Sequence, residues 1–269
     1  MNRDAFEQRM RALECFHDLR LLPGAWVVVR VDGRGFSRFT APRFDKPFDP
    51  AFHKLMVQTA RMLLAALQGC YAYTESDEVS ILCLPEWELF DRKLEKVVSL
   101  SAGIASSALT QACGVPVQFD SRVWLGAQES QVVDYFRWRQ ADATRCALHG
   151  WCYWTLRRAG KSSKAATAAL QGAAFADMNE MLFQHGINFN TLPTWQRRGT
   201  DLYWETYAKT GHNPHTQQTA VTSRRRIKVD RHLPMQDVYS QFIRDILRRS
   251  RSRSRATAQP LGTIPEERR

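Results

Sequence analysis

An apolar run rich in β-forming residues, broken only by Arg30, extends through Trp26 to Val31 and stops at Asp32-Gly33. The stretch predicts a strand with Val27, Val29 and Val31 on one face and Trp26, Val28, Arg30 and Asp32 on the other. Upstream, Asp4 to Leu19 carries an amphipathic helical pattern, and Pro23-Gly24 marks the turn between them. Asp49-Pro50 then supplies a helix cap and a first-turn proline, followed by Phe52, Leu55, Met56, Leu63 and Leu67 at helical intervals until Gly69. Two short strands, Cys70 to Thr74 and Val79 to Leu84, flank Glu75-Ser76-Asp77-Glu78, and Pro85 ends further central pairing. From Lys93, Leu94, Val97, Val98, Ser101, Ile104, Ala105 and Ala108 line one side of a second helix, and Val115 to Asp120 predicts a fourth strand.

The order β, α, β, β, α, β is the split βαβ (ferredoxin-like) arrangement, an α+β fold with an antiparallel sheet, two helices on one face and the other face partly open. Its first and third strands occupy the middle. The end of the first therefore lies beside the start of the third, and Asp32 approaches the Asp77-Glu78 turn. The second half reads as more helical: Val132 to Arg158 in helical segments, then a helix capped by Ser162 or Ser163 and closed by His185-Gly186. Ile227 and Val229 alternate as an added edge strand, and the Arg/Ser alternation from 248 to 269 reads as a disordered basic tail.

The 269 residues are 44% hydrophobic and 24% charged, which suits a folded chain. No apolar run reaches membrane-spanning length and the start lacks the apolar core of a secretion signal, so the expected compartment is the cytoplasm. Cysteines at 15, 70, 83, 113, 146 and 152 make no C-x-x-C pair and read as reduced thiols. His212 and His215 in Gly-His-Asn-Pro-His read as a polar loop. Of the net charge of +11, residues 224–269 hold 13 basic and 5 acidic residues, a net +8, which points to a polyanionic partner or a solubilising tail.

Mg²⁺ favours one or two carboxylates together with water and substrate phosphates. Asp32, the Gly33 carbonyl and Asp77 would make such a minimal site, able to hold a pair of ions about 3.5–4 Å apart. Glu78 either ligates or orders the turn, and Glu75 is expected to face water. Lys46, Arg92, Lys93 and Lys96 are candidates for a phosphate grip. The alternatives are a solvated acidic turn and a solvated basic helix end. Neither Asp-Gly-Arg-Gly at 32–35 nor Ala-Gly-Lys-Ser-Ser-Lys at 159–164 completes a Walker A loop.

Seven blocks in order, VVVRVDGRGFSRFT, RFDKPFD, YTESDEVSIL, FDRKLEKVVSLSAG, VQFDSRV, DYFRWRQADATRCAL and ALQGAAFADMNEMLFQHGINFNTLPTWQRRG, cover roughly residues 5–230. They resemble the tRNA-histidine guanylyltransferase superfamily, most of all its bacterial and archaeal Thg1-like members. The resemblance implies a palm-like catalytic region at 1–135, a helical RNA-binding and oligomerisation region at 136–247, commonly in a homotetramer, and the tail at 248–269. It implies an Mg²⁺-dependent RNA nucleotidyltransferase, a 3′-5′ polymerase with two ions acting at the tRNA acceptor stem and 5′ end. ATP, GTP and other NTPs would be its activating or incoming substrates.

By the same resemblance Asp32, the Gly33 carbonyl and Asp77 take the metal positions, and Glu78 belongs to the same catalytic signature. Gly33, Arg34, Gly35, Phe36, Lys46, Ser76, Arg92, Lys93 and Lys96 fall to nucleotide binding. Asp120, Arg122, Arg139, Gln140, Asp142, Asn188 and Asn190 fall to the tRNA end or to support of the site. The chain departs at Thr144 to Gly150, reading TRCALHG where eukaryotic members have a HINNLYN-like segment. That departure favours template-directed repair of 5′-truncated tRNA over non-templated guanosine addition to histidine tRNA. A palm-fold nucleotide cyclase and a non-catalytic RNA-binding protein are the alternatives from other classes.

Overall fold

The computed structural model describes residues 3–212 and 219–258, without the side chains of 220 and 253–258. Helix α1 (Arg3–Ala12) ends earlier than the amphipathic stretch predicts and buries none of its residues. Strand β1 (Trp26–Gly33) and a short α2 (Phe36–Thr40) lead to α3 (Pro50–Ala66), where the Asp49 carboxylate accepts from the N–H groups of Ala51 and Phe52. Strands β2 (Tyr71–Glu75) and β3 (Glu78–Cys83) form a hairpin closed by Ser76-Asp77. After α4 (Leu94–Cys113), strand β4 (Phe119–Gly126) starts later than Val115. Pro116 has no N–H for a ladder, and the Val117 N–H is taken by the Thr110 hydroxyl, so pairing begins beyond them.

The second half opens with α5 (Glu129–Arg158), one unbroken helix, then α6 (Ser163–Leu170), capped by the Ser162 hydroxyl, α7 (Phe175–Gln184) and α8 (Thr194–Arg198). The single helix expected between Ser162 and His185 is broken around Gly172, whose φ of +72° suits glycine. A long hairpin follows, β5 (Thr200–His212) and β6 (Thr219–Asp230), of which the sequence indicated only the edge strand around Ile227. Helix α9 (Gln236–Ala258) runs on through the Arg/Ser alternation. Helix thus replaces the expected disorder as far as Ala258; residues 259–269 of that tail, and His215 of the Gly-His-Asn-Pro-His loop, lie outside the described residues.

The six strands lie in the order β4-β1-β3-β2-β5-β6, all antiparallel, with β1 and β3 central in the first four as the split βαβ pattern requires. One face carries Val27, Val29, Val31, Val79 and Ile81 against Met56, Leu63 and Leu64 of α3 and Val97 and Leu109 of α4. The opposite face is closed rather than open. Trp26, Val28, Tyr71 and Tyr73 pack under Val132 and Phe136 of α5 and Tyr239, Ile243 and Leu247 of α9. Each such buried side chain is worth about 1.5–3 kcal/mol, so an apolar second face is costly to leave in water. A third cluster joins the end of α5 to α6 and α7 through Leu148, Cys152, Leu170 and Leu182. All six cysteines are free, and no helix among the described residues is long and apolar enough to cross a membrane.

Candidate active site

Strand register gathers acids at one end of the sheet: Asp32 lies opposite Glu78 on β3 and opposite Asp120 on β4. The chain can turn there because Gly33 has no Cβ. One would stand 2.4 Å from the ring of Phe36, which is itself buried against Phe39, Phe52 and Phe119. The Gly33 N–H donates to the Asp77 carbonyl at 3.2 Å, tying the hairpin turn to the end of β1. Ser76 is left-handed at φ +46°, and its hydroxyl donates to Asp77 Oδ1 at 2.9 Å. Burial raises the Asp77 pKa; the Ser76 hydrogen bond and Lys46 oppose that shift, and the nearby Asp32 carboxylate adds to it.

The two glutamates beside Asp77 are engaged by α5. Arg139, 4% exposed, donates from Nε to Glu78 Oε1 at 2.8 Å and from Nη2 to Glu78 Oε2 and Glu75 Oε1, both at 2.9 Å. It also reaches Asp142 at 3.1 Å, and Asp142 is shared with Arg145. Glu75, expected in water, is therefore a partly buried ion-pair partner. Burial first, and then the Glu78 charge, push its pKa up, and the Arg139 guanidinium opposes them by holding the charged carboxylate. Arg30 approaches Glu78 at 3.4 Å and Asp32 at 3.6 Å, and Arg122 bridges Asp120 at 3.0 Å and Asp32 at 3.7 Å. Arg30 was missed from sequence; its place on the Asp32 face, two positions earlier on β1, was the available signal.

Beside Asp77 opens a cavity of about 420 Å³, walled by Phe44, Phe48, Phe52 and Trp195 and bordered by Phe36, Lys46, Ser76 and Glu75. His53 stacks on Trp195 with ring centres 4.2 Å apart. Lys46 bonds to the Thr40 hydroxyl; burial lowers its pKa, while Asp77 and Asp49 act the other way. Cys146, Ala147 and Gly150, from the segment where the sequence departs from HINNLYN, line the α5 side. Trp195 and the small α5 residues carry no local motif, because only the folded chain brings them next to residues 44–53.

Other nominated residues stand elsewhere. Arg92 is buried and donates to the carbonyls of Leu21, Leu22, Ala25, Pro85 and Trp87. Ala25 lies at the opposite end of β1 from Asp32, about 20 Å along an extended strand. Lys93 pairs with Asp18 at 3.1 Å, and Lys96 is exposed on the first turn of α4 at that same far end. Gln140 donates to the Pro234 carbonyl and joins α5 to the segment before α9. Asn188 caps a turn after α7, accepting from the N–H of Asn190, and neither borders the cavity. Arg34 is exposed and bonds to Gln118, while Gly35, at φ +69°, precedes α2.

Asp32, the Gly33 carbonyl and Asp77 are the groups that would hold a divalent cation. Two neighbouring carboxylates, one of them half-buried and raised in pKa partly by the other, suit a cation between them. Hard oxygen donors in this small number fit Mg²⁺, which completes its shell with water and phosphate oxygens. No cluster of three or more His, Cys, Asp or Glu side chains suited to a metal occurs among the described residues, and Glu78 is already committed to arginines.

The profile for the family described as tRNAHis guanylyltransferase matches residues 7–134, and the Thg1 C terminal domain matches residues 130–244. The chain belongs to the tRNA-histidine guanylyltransferase family. A probable tRNA(His) guanylyltransferase of Drosophila melanogaster is 34% identical over 197 residues, 69% of each chain. A bacterial Thg1-like protein solved in complex with ATP superimposes with a TM-score of 0.70 at 25% identity, covering 90% of this chain and 98% of its own. The complex of such a protein with GTP gives a TM-score of 0.68 at 26% identity, covering 89% and 99%. The family thus accounts for both halves of the fold.

Proposed function

We propose that the protein is an Mg²⁺-dependent nucleotidyltransferase that adds nucleotides in the 3′-5′ direction to tRNA 5′ ends and repairs truncated ends under the direction of a template. The observation that carries the reading is Asp77 in the wall of an aromatic cavity together with Lys46 and Ser76, its turn tied by the Gly33 N–H to the end of β1 that carries Asp32. The ATP and GTP held by the bacterial Thg1-like proteins support a nucleoside triphosphate there. Phe44, Phe48 and Trp195 offer surfaces for the base. Lys46 supplies positive charge to the phosphates, and the Ser76 hydroxyl orients Asp77.

In the first stage an oxygen of the RNA 5′-monophosphate attacks the α-phosphorus of ATP and releases pyrophosphate. In the second the 3′-hydroxyl of an incoming NTP attacks the activated 5′ phosphate and releases AMP. An RNA that already bears a 5′ triphosphate needs only the second stage and releases pyrophosphate. Bound ions would neutralise charge on the phosphoryl oxygens and favour the attacking hydroxyl. No covalent side-chain nucleophile is required; burial raises the Cys146 pKa, which keeps that cavity thiol protonated. The small Cys146, Ala147 and Gly150 leave the incoming base to be selected by pairing with the template strand. Arg224, Arg226 and Lys228 on β6, with Arg248 and Arg249 on α9, provide cations for RNA phosphates, and the expected assembly is a homotetramer.

The test is incubation of a 5′-truncated tRNA with Mg²⁺, ATP and all four NTPs. Lengthening by nucleotides complementary to the opposite acceptor strand is expected; no lengthening across suitable tRNAs overturns the reading. A single guanosine added only to full-length histidine tRNA would replace repair with guanosine addition.

A further inference from the structure

We propose that Arg139 is the positioning residue of the metal-binding turn: it clamps Glu75 to Glu78 across the hairpin and thereby fixes Asp77 against the end of β1. This deepens the reading above and rests on Asp32, Gly33 and Asp77 as the cation site. Glu75 and Glu78 are directly opposed in the β2–β3 ladder, with only Ser76 and Asp77 between them. Like charges in that position push a hairpin apart. One guanidinium cancels the repulsion, since Nη2 bonds to both glutamates at 2.9 Å while Nε holds the second oxygen of Glu78 at 2.8 Å.

The clamp is rigid at both ends. Arg139 comes from the part of α5 that packs on the sheet through Tyr135 and Phe136. Its guanidinium centre lies 4.6 Å from the Trp138 ring, and its next neighbour, Gln140, is tied to the Pro234 carbonyl. On the turn side, the Asp77 carbonyl accepts from Gly33, so a movement of the glutamates is passed directly to the ligand pair. With its side chain 4% exposed and three carboxylates around it, Arg139 has no open face for an RNA phosphate. Glu78 then serves the site as the acid that Arg139 grips, and its two oxygens are spent on that task. Lysine keeps the charge but offers a point donor in place of the planar fork.

Mn²⁺ is the probe, with free Mn²⁺ followed by electron paramagnetic resonance on the full-length chain in the absence of RNA and NTP. Arg139→Lys should bind Mn²⁺ about tenfold more weakly than wild type, the scale set by partners that orient metal ligands. Binding of 5′-truncated tRNA, measured by fluorescence anisotropy, should be unchanged. Glu75→Gln/Arg139→Lys, which removes one opposed charge, should recover much of the lost Mn²⁺ affinity, a rescue that general loosening of the fold would not give. Wild-type Mn²⁺ affinity in Arg139→Lys, loss of tRNA affinity without loss of Mn²⁺ affinity, or a double variant no better than the single each overturns the proposal. Should Arg139→Lys not fold, Glu75→Gln/Glu78→Gln/Arg139→Met removes the opposed charges together with the guanidinium; Mn²⁺ binding close to wild type supports the clamp and a loss of about tenfold or more overturns it. A wild-type chain that binds Mn²⁺ but never extends tRNA would sink the repair function alone.

Discussion

Arg92→Met separates a structural from a nucleotide-binding role for one basic residue. The guanidinium donates to five backbone carbonyls: Leu21 at 3.3 Å, Leu22 at 2.6 Å, Ala25 at 3.1 Å, Pro85 at 3.3 Å and Trp87 at 2.6 Å. These knit the entry to β1 to the segment between β3 and α4. Hydrogen bonds from a charged donor contribute about 1.5–3 kcal/mol each, but the same group serves all five and they do not add. Methionine fills similar space and strands the carbonyls, for a net cost of about 3–5 kcal/mol against a typical total stability of about 5–15 kcal/mol. At a urea slope of about 2–3 kcal/mol/M the unfolding midpoint should fall by about 1–2.5 M. The KM for ATP should stay at the wild-type value wherever the variant is folded. An unchanged midpoint with a raised ATP KM would refute this and return Arg92 to the triphosphate.

Burial, with a smaller push from Arg231, lowers the His53 pKa from 6.5 to about 4. Because the folded value lies below the unfolded one, stability from the neutral ring is complete above about pH 6.5 and is lost as pH falls toward 4, by up to about 3 kcal/mol. Urea unfolding between pH 7 and 4 should show that loss and His53→Asn should flatten it; equal slopes in both proteins would refute it. Gly33→Ala should cost about 1–3 kcal/mol by overpacking against Phe36. Phe36→Leu should return part of that cost, and a Gly33→Ala chain with wild-type thermal stability would show that the ring gives way. Asp49→Ala should lower stability by about 1 kcal/mol through loss of the α3 cap, read by the same unfolding curves.

The run of β-forming residues in β1, the Asp49-Pro50 cap and the β, α, β, β, α, β order were legible because each is local, and together they place Asp32 near Asp77. Arg92, Lys93 and Lys96 show the limit of local pattern, since a basic helix start looks like a phosphate grip wherever it sits. Topology corrects it: β3 begins at the acidic end and runs to the other, so a helix that follows β3 starts far from Asp32. Glu75 was read as solvated because its partner Arg139 is 64 residues away and belongs to a helix that the split βαβ pattern does not contain. The same helix, with α9, closes the sheet face expected to be open. The apolar contacts of α9 among the described side chains come from its first part, through Tyr239, Ile243, Ile246 and Leu247, and the Arg/Ser sequence that follows has no apolar period to mark it as helix.

Catalysis at the Asp32–Asp77 cleft is tested most directly by single-turnover 5′ extension of a truncated tRNA with Asp32→Asn and Asp77→Asn, with tRNA binding measured in parallel. Each variant should bind tRNA as wild type does and lose at least about a hundredfold in the rate of templated addition, the scale of removing one electrostatic group from a reaction centre. Wild-type addition by either variant would contradict the assignment of that cleft as the centre of nucleotide transfer.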